Sequence, residues 1–165
     1  MGALLAALHA YPESEGVQHQ GCNGLGILCR TSAEARELSG SSGAVEAVAT
    51  ALRVHAGDAD VLDAVCTALG YLMIECPENC GRAHRAGVSI DSFLDVMRTH
   101  PLNERVQHAG CTALAIFCSD FRAPAESQLR ALACIVNALR SFPDDYALQS
   151  NACAALAAVL PLPAG

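Results

Sequence analysis

A chain of 165 residues with a formal net charge of −7 has room for one well-formed core, and its acidic balance excludes a protein that grips nucleic acid through a clustered basic face. The ten basic residues are all Arg, so there is no P-loop lysine, no Schiff base and no kinase-type phosphate lysine. Hydrophobic residues make up 52% and aromatics only 4%, with no Trp, so the core is Leu, Ala, Val, Ile and Cys, which suit close helix packing better than a sheet.

The first element, "GALLAALHAY" (2–11), is apolar but has no basic segment before it, so it does not read as a signal peptide. After the loop "AYPESEG" comes "VQHQGCNGLGILC" (17–29), then a short helix in "SAEARELSG" (32–40). "SGAVEAVATALRVH" (42–55) puts Val45, Val48, Ala49 and Leu52 on one helical face. "HAGDAD" supplies a Gly stop and an Asp cap before "DADVLDAVCTALGYLM" (58–73), where Val61, Val65, Leu69 and Leu72 share a face. "CPENCGRAHRAG" (76–87) is a second short helix, followed by a helix that carries Met97 and the loop "THPLNER". "VQHAGCTALAIFC" (106–118) repeats the earlier stretch at 8 of 13 positions, 89 residues on. A third short helix is expected in "APAESQLRALA" (123–133), although "LRALACIVNAL" (129–139) runs on without a Gly turn. The loop "SFPDDYA" leads into the last helix. Pro stands just past a helix in three of these four loops, where it cannot continue it.

The repetition is fourfold. Val17, Val61, Val106 and Leu148 are 44, 45 and 42 residues apart. Five residues after each stands Cys, at Cys22, Cys66, Cys111 and Cys153; three further on stands Leu25, Leu69, Leu114 or Leu156. Nine residues before each stands Leu8, Leu52, Met97 or Leu139. Gly21 and Gly110, with Ala64, Ala109 and Ala152, keep the anchored helix narrow enough for close packing.

Units of about 42–45 residues with three helices each resemble the armadillo repeat family. Pro77-Glu78-Asn79 and Ala86-Gly87 resemble the start and end of that repeat's first helix, Gly43 before Ala44-Val45 resembles its turn, and "VQHAGCTALAIF" resembles its third helix. The resemblance implies an all-α, right-handed α-solenoid of about four repeats, near 3–32, 33–76, 77–119 and 120–160, forming a single domain over 1–165. Both ends read as unfinished, which is the expectation for a piece of a longer array. The import-receptor branch grips basic peptides with a ladder of Trp and Asn. Those places hold Asn23, Thr67, Thr112 and Ala154, and Ile27, Tyr71, Ile116 and Ala158, so the resemblance does not carry nuclear-signal binding to this chain.

Three kinds of cluster have the outline of a chemical site. His19 and Cys22, echoed by His108 and Cys111, have the form of a Cys–His pair, yet Cys66 and Cys153 keep the place without a His, which favours a core role. Cys76, Cys80 and His84 offer three ligand types, but the matched second pair of a zinc site is missing. Glu13/Glu15, Asp58/Asp60 and Asp144/Asp145 precede third helices, where acids favour the helix start. No catalytic residue, metal site or cofactor is assigned. The nine Cys read as reduced thiols of a cytoplasmic or nuclear protein, and no apolar run reaches the roughly 18 residues of a membrane span.

The resemblance places a concave groove on the third helices. Its residues are His19, Asn23 and Ile27; Asp63, Thr67 and Tyr71; and His108, Thr112 and Ile116. This surface is shallow and nearly uncharged, suited to a partner helix or extended peptide. The expected function is a protein–protein interaction scaffold or regulatory module, not an enzyme. One alternative is an intramolecular or homo-oligomeric structural module of a larger protein, such as a kinase-like or ubiquitin-ligase one; another is a Cys- or zinc-dependent enzyme. The partner is expected to be protein or peptide, with neither nucleic acid nor membrane.

Overall fold

Three residues before each of the four anchors stands a side chain that can cap a helix, and each does so. Ser14 Oγ accepts from Val17 N at 3.5 Å and Asp58 Oδ1 from Val61 N at 2.9 Å. Asn103 Oδ1 accepts from Val106 N at 3.2 Å and Asp145 Oδ1 from Leu148 N at 3.0 Å. Each satisfies one of the donors that a helix start leaves open. The computed structural model of the chain describes residues 1–120 and 124–160, and among these the fold is all-α, with no strand.

The chain divides into two compact units. The first, Met1–Ser89, holds α1 (Gly2–Ala10), α2 (Glu15–Arg30), α3 (Ala33–Ser41), α4 (Ala44–Val54), α5 (Ala59–Met73) and α6 (Pro77–Arg85). The second, from Ile90 onward, holds α7 (Ile90–Thr99), α8 (Glu104–Asp120), α9 (Ala125–Ser141) and α10 (Tyr146–Val159). In the first unit α2 lies along α5; in the second α8 lies along α10. The cores follow the expected faces. Leu25, Val45, Val48 and Leu69 are fully buried in the first unit, and Phe93, Leu114, Ile135 and Leu148 in the second. Phe93 meets Phe117 edge to face, with ring centroids 5.8 Å apart.

The expected turns are real turns. Gly43 and Gly87 have φ of 89° and 88°, a left-handed conformation that a side chain disfavours, and they follow the short helices α3 and α6. Gly21 and Gly110 allow close approach: a Cβ on either would come within 2.5 Å of Leu8 Cδ2 or Met97 Cγ. The repeated register thus pairs the residue nine before the anchor with the one four after it.

One brace was not anticipated. The residue after the anchor is Gln18, Gln107 or Gln149 in three copies. Each Nε2 donates to two carbonyls at the end of the preceding helix: Leu8 and Tyr11, Met97 and His100, Leu139 and Phe142. These distances run from 2.7 to 3.0 Å. The second copy has the fully buried Leu62 instead. There His55, itself buried, reaches the Pro12 carbonyl at 2.8 Å; a carbonyl only accepts, so Nε2 carries the proton.

The fourth unit departs from expectation. The short helix expected over 123–133 begins outside the described residues, and the chain from Ala125 to Ser141 forms one continuous helix, α9. No Gly interrupts 125–141, so nothing breaks the hydrogen-bond ladder between a first and a second helix.

Candidate functional site

Both units carry third-helix faces. In the first, α2 carries His19, Asn23 and Ile27 at successive turns, and α5 carries Asp63, Thr67 and Tyr71. All are half-buried except Ile27, which is 66% exposed. Gly26 sets the closeness of the two helices: its Cβ position lies 3.8 Å from Ala68 Cα and 3.6 Å from the Tyr71 ring. Tyr71 therefore rests beside α2 rather than standing free. Asn23 Nδ2 lies 3.0 Å from His19 Nε2. An amide nitrogen only donates, so as placed Nε2 accepts and the neutral ring holds its proton on Nδ1.

In the second unit α8 carries His108, Thr112 and Ile116, again half-buried. Asn151 of α10 joins them, although the sequence pattern did not mark it. Its Nδ2 donates to His108 Nε2 at 2.9 Å and to Thr112 Oγ1 at 2.8 Å, and Thr112 Oγ1 donates to the His108 carbonyl at 2.9 Å. His108, Thr112 and Asn151 thus form one polar cluster across two helices. Asn151 stands where the other copies have Gln20, Ala64 and Ala109, so repeat register gave no signal for it.

The thiols beside these faces are held away from chemistry. Cys22, Cys66 and Cys111 are fully buried, and burial pushes each up to about 12. Asp63 and Cys22 add to the rise at Cys66, and Cys134 adds to it at Cys111. A thiol so raised supplies almost no thiolate at neutral pH. His19 bonds to Asn23, and His108 bonds to Asn151. Cys76 and Cys80 are buried while His84 is exposed, and Cys80 Sγ donates to the Met73 carbonyl at 3.6 Å. Among the described residues no three His, Cys, Asp or Glu side chains converge as a metal site would need.

Compared with known proteins, the chain matches no family model, no curated protein and no solved structure. Its internal repetition therefore stands as the main guide to what it resembles.

A cavity of about 280 Å³ lies on a different face of the second unit, between α7 and α9. Leu94, Met97, Cys134 and Ala138 form its apolar wall. Two ion pairs border it, Arg130 with Asp91 and Arg98 with Asp95, each at 2.9 Å. Cys134 is half-buried there; burial raises it and the nearby Arg98 lowers it, with a net rise. These residues lie on α7 and α9, which the repeat pattern does not mark for binding. No described helix is long and apolar enough to cross a membrane.

Proposed function

We propose that the chain is an armadillo-like α-solenoid that serves as a protein-interaction scaffold or regulatory module. A partner helix or extended peptide docks on the open faces of the third helices, and the protein is not an enzyme. The observation that carries this reading is the half-exposed placement of eight of the nine register-matched residues on α2, α5 and α8. Tyr71 and Ile116 offer apolar anchors, while the His19–Asn23 pair and the His108–Thr112–Asn151 cluster offer polar ones. Such a mixture suits a peptide held by a few side chains. Nine free thiols, seven of them buried, favour a reducing compartment such as the cytoplasm or nucleus.

The test is an affinity capture comparing wild type with His19→Ala, Asp63→Ala, Tyr71→Ala and His108→Ala combined, with helicity and melting matched. A partner held by wild type and lost by the variant supports the reading. The same partners with both, or none with either, overturns it.

A further inference from the structure

The third helices have two long sides, and the repeat register tells them apart. Counting from Val17, Val61, Val106 and Leu148, one side holds the residues three, seven and eleven positions on. The other holds those five, eight and twelve positions on. In the first unit the second side of α2 meets the first side of α5, where Gly26 faces Ala68. In the second unit α10 likewise turns its first side to α8: Ala155 is fully buried, and Asn151 reaches Thr112. The chain therefore makes one type of interface twice.

Each inner side is covered. Leu72 of α5 is 0% exposed and Val159 of α10 is 3%. Cys22, Leu25 and Cys29 of α2 are fully buried, as are Cys111 and Leu114 of α8. The outer sides differ at the same register positions. On α2, Gln20 is exposed, Gly24 is half-buried beneath Leu4, and Leu28 is 43% exposed. On α10, Cys153 is exposed, Leu156 is half-buried and Leu160 is 45% exposed. None of these six residues is charged.

We propose that these two open sides recognise one another in different copies of the chain. The outer side of α10 in one copy stacks on the outer side of α2 in a second copy, head to tail. The occupant is argued from continuity with an interface already present. The open side of α10 holds the same register positions as the side that α2 offers to α5, with Cys153 and Leu156 for Cys22 and Leu25 and with Leu160 for Cys29. The open side of α2 holds those of the side that α5 presents in return, with Leu28 for Leu72 and with Gln20 and Gly24 for Ala64 and Ala68. Such a contact is heterologous, using a different patch on each copy, so each junction leaves a free head and a free tail unless the arrangement closes. This goes beyond partner docking, because it uses other sides of the helices and needs no outside ligand.

Sedimentation velocity of the chain in reductant, over a range of concentrations, tests it; the reductant removes disulfides through Cys153. The variants are Leu28→Glu, which spoils the head, and Cys153→Arg, which spoils the tail. Both replace exposed side chains, and circular dichroism checks their folding. Gln20→Arg and Ala157→Glu on the same sides replace either variant that loses helicity. The expected result is a wild-type mass that climbs with concentration, loss of association in each variant alone, and a one-to-one dimer on mixing the two. A wild type that stays monomeric throughout overturns the proposal. So does a variant that associates by itself, or a mixture that gives no dimer.

Discussion

The side-chain amide of Asn79 fills the space that a Cβ on Gly40 would need. Its Nδ2 donates to the Arg36 carbonyl at 2.9 Å and to the Leu72 carbonyl at 2.7 Å, so one buried amide ties α3, α5 and α6 together. Asn79→Ala should lower stability by about 2–3 kcal/mol, because it strands buried acceptors. Gly40→Ala should cost about 1–3 kcal/mol by displacing the amide. The two should be markedly non-additive, since without the amide the new methyl has room. Urea denaturation of both single variants and the double variant measures this; additive losses would contradict the account.

The Gln brace should be worth more where it is better buried. Gln107 is buried and Gln149 is half-buried. Gln107→Ala should lose about 1–2 kcal/mol. Gln149→Ala should lose less, because water can replace its bonds. Denaturation midpoints rank the two, and the reverse order would show that burial does not set the value of the brace.

Gly21 sits inside a helix, where Ala would ordinarily gain about 1 kcal/mol. Its Cβ would lie 2.5 Å from Leu8 Cδ2, so Gly21→Ala should instead be destabilising by about 1–3 kcal/mol. In a Leu8→Ala background the same change should become neutral or favourable. Melting temperatures of the four chains decide it.

Thiol chemistry should follow exposure. Cys153 is exposed, Cys134 is half-buried and the other seven cysteines are buried. A disulfide reagent should label Cys153 at once, Cys134 more slowly, and the rest only as the chain unfolds.

The same burial makes stability depend on pH. Cys22, Cys66 and Cys111 are raised from an ordinary 9.0 to about 12, and Cys118 to about 11. The folded chain then keeps protons that the unfolded chain releases. Their contribution is complete below pH 9 and is lost as pH rises toward 12. Melting temperature should fall above pH 9, less steeply for Cys66→Ala than for Cys153→Ser. Equal slopes would sever the link to buried thiols.

Much of the local structure was legible because helix faces and caps are local. The apolar spacing over 42–55 and 58–73 corresponds to α4 and α5; Gly43 and Asp58 act at their starts and Gly87 acts after α6, as expected. The short helices α3 and α6 were legible for the same reason. The merged α9 was less so: the missing Gly turn is visible in the sequence, but its outcome depends on whether the hydrogen-bond ladder stays unbroken across 125–141. The brace had a visible signal, Gln18, Gln107 and Gln149 in register, whereas its function depends on the ends of other helices. Asn151 had none: the repeat period brings α10 beside α8, but its register-mates are Gln20, Ala64 and Ala109, so its bonds to His108 and Thr112 are not a repeated feature.

The Gln braces have a consequence for the loops they close. A helix normally frays at its last carbonyls, and there the loop begins to loosen. Here those carbonyls are held by the next helix, so each loop is fastened at its base while Glu13, Leu102 and Asp144 at its tip remain exposed. Extra sequence spliced in at these tips adds only a small closure entropy. The three loops are thus ready-made places to display a foreign peptide, with the braced helix ends serving as its clamp.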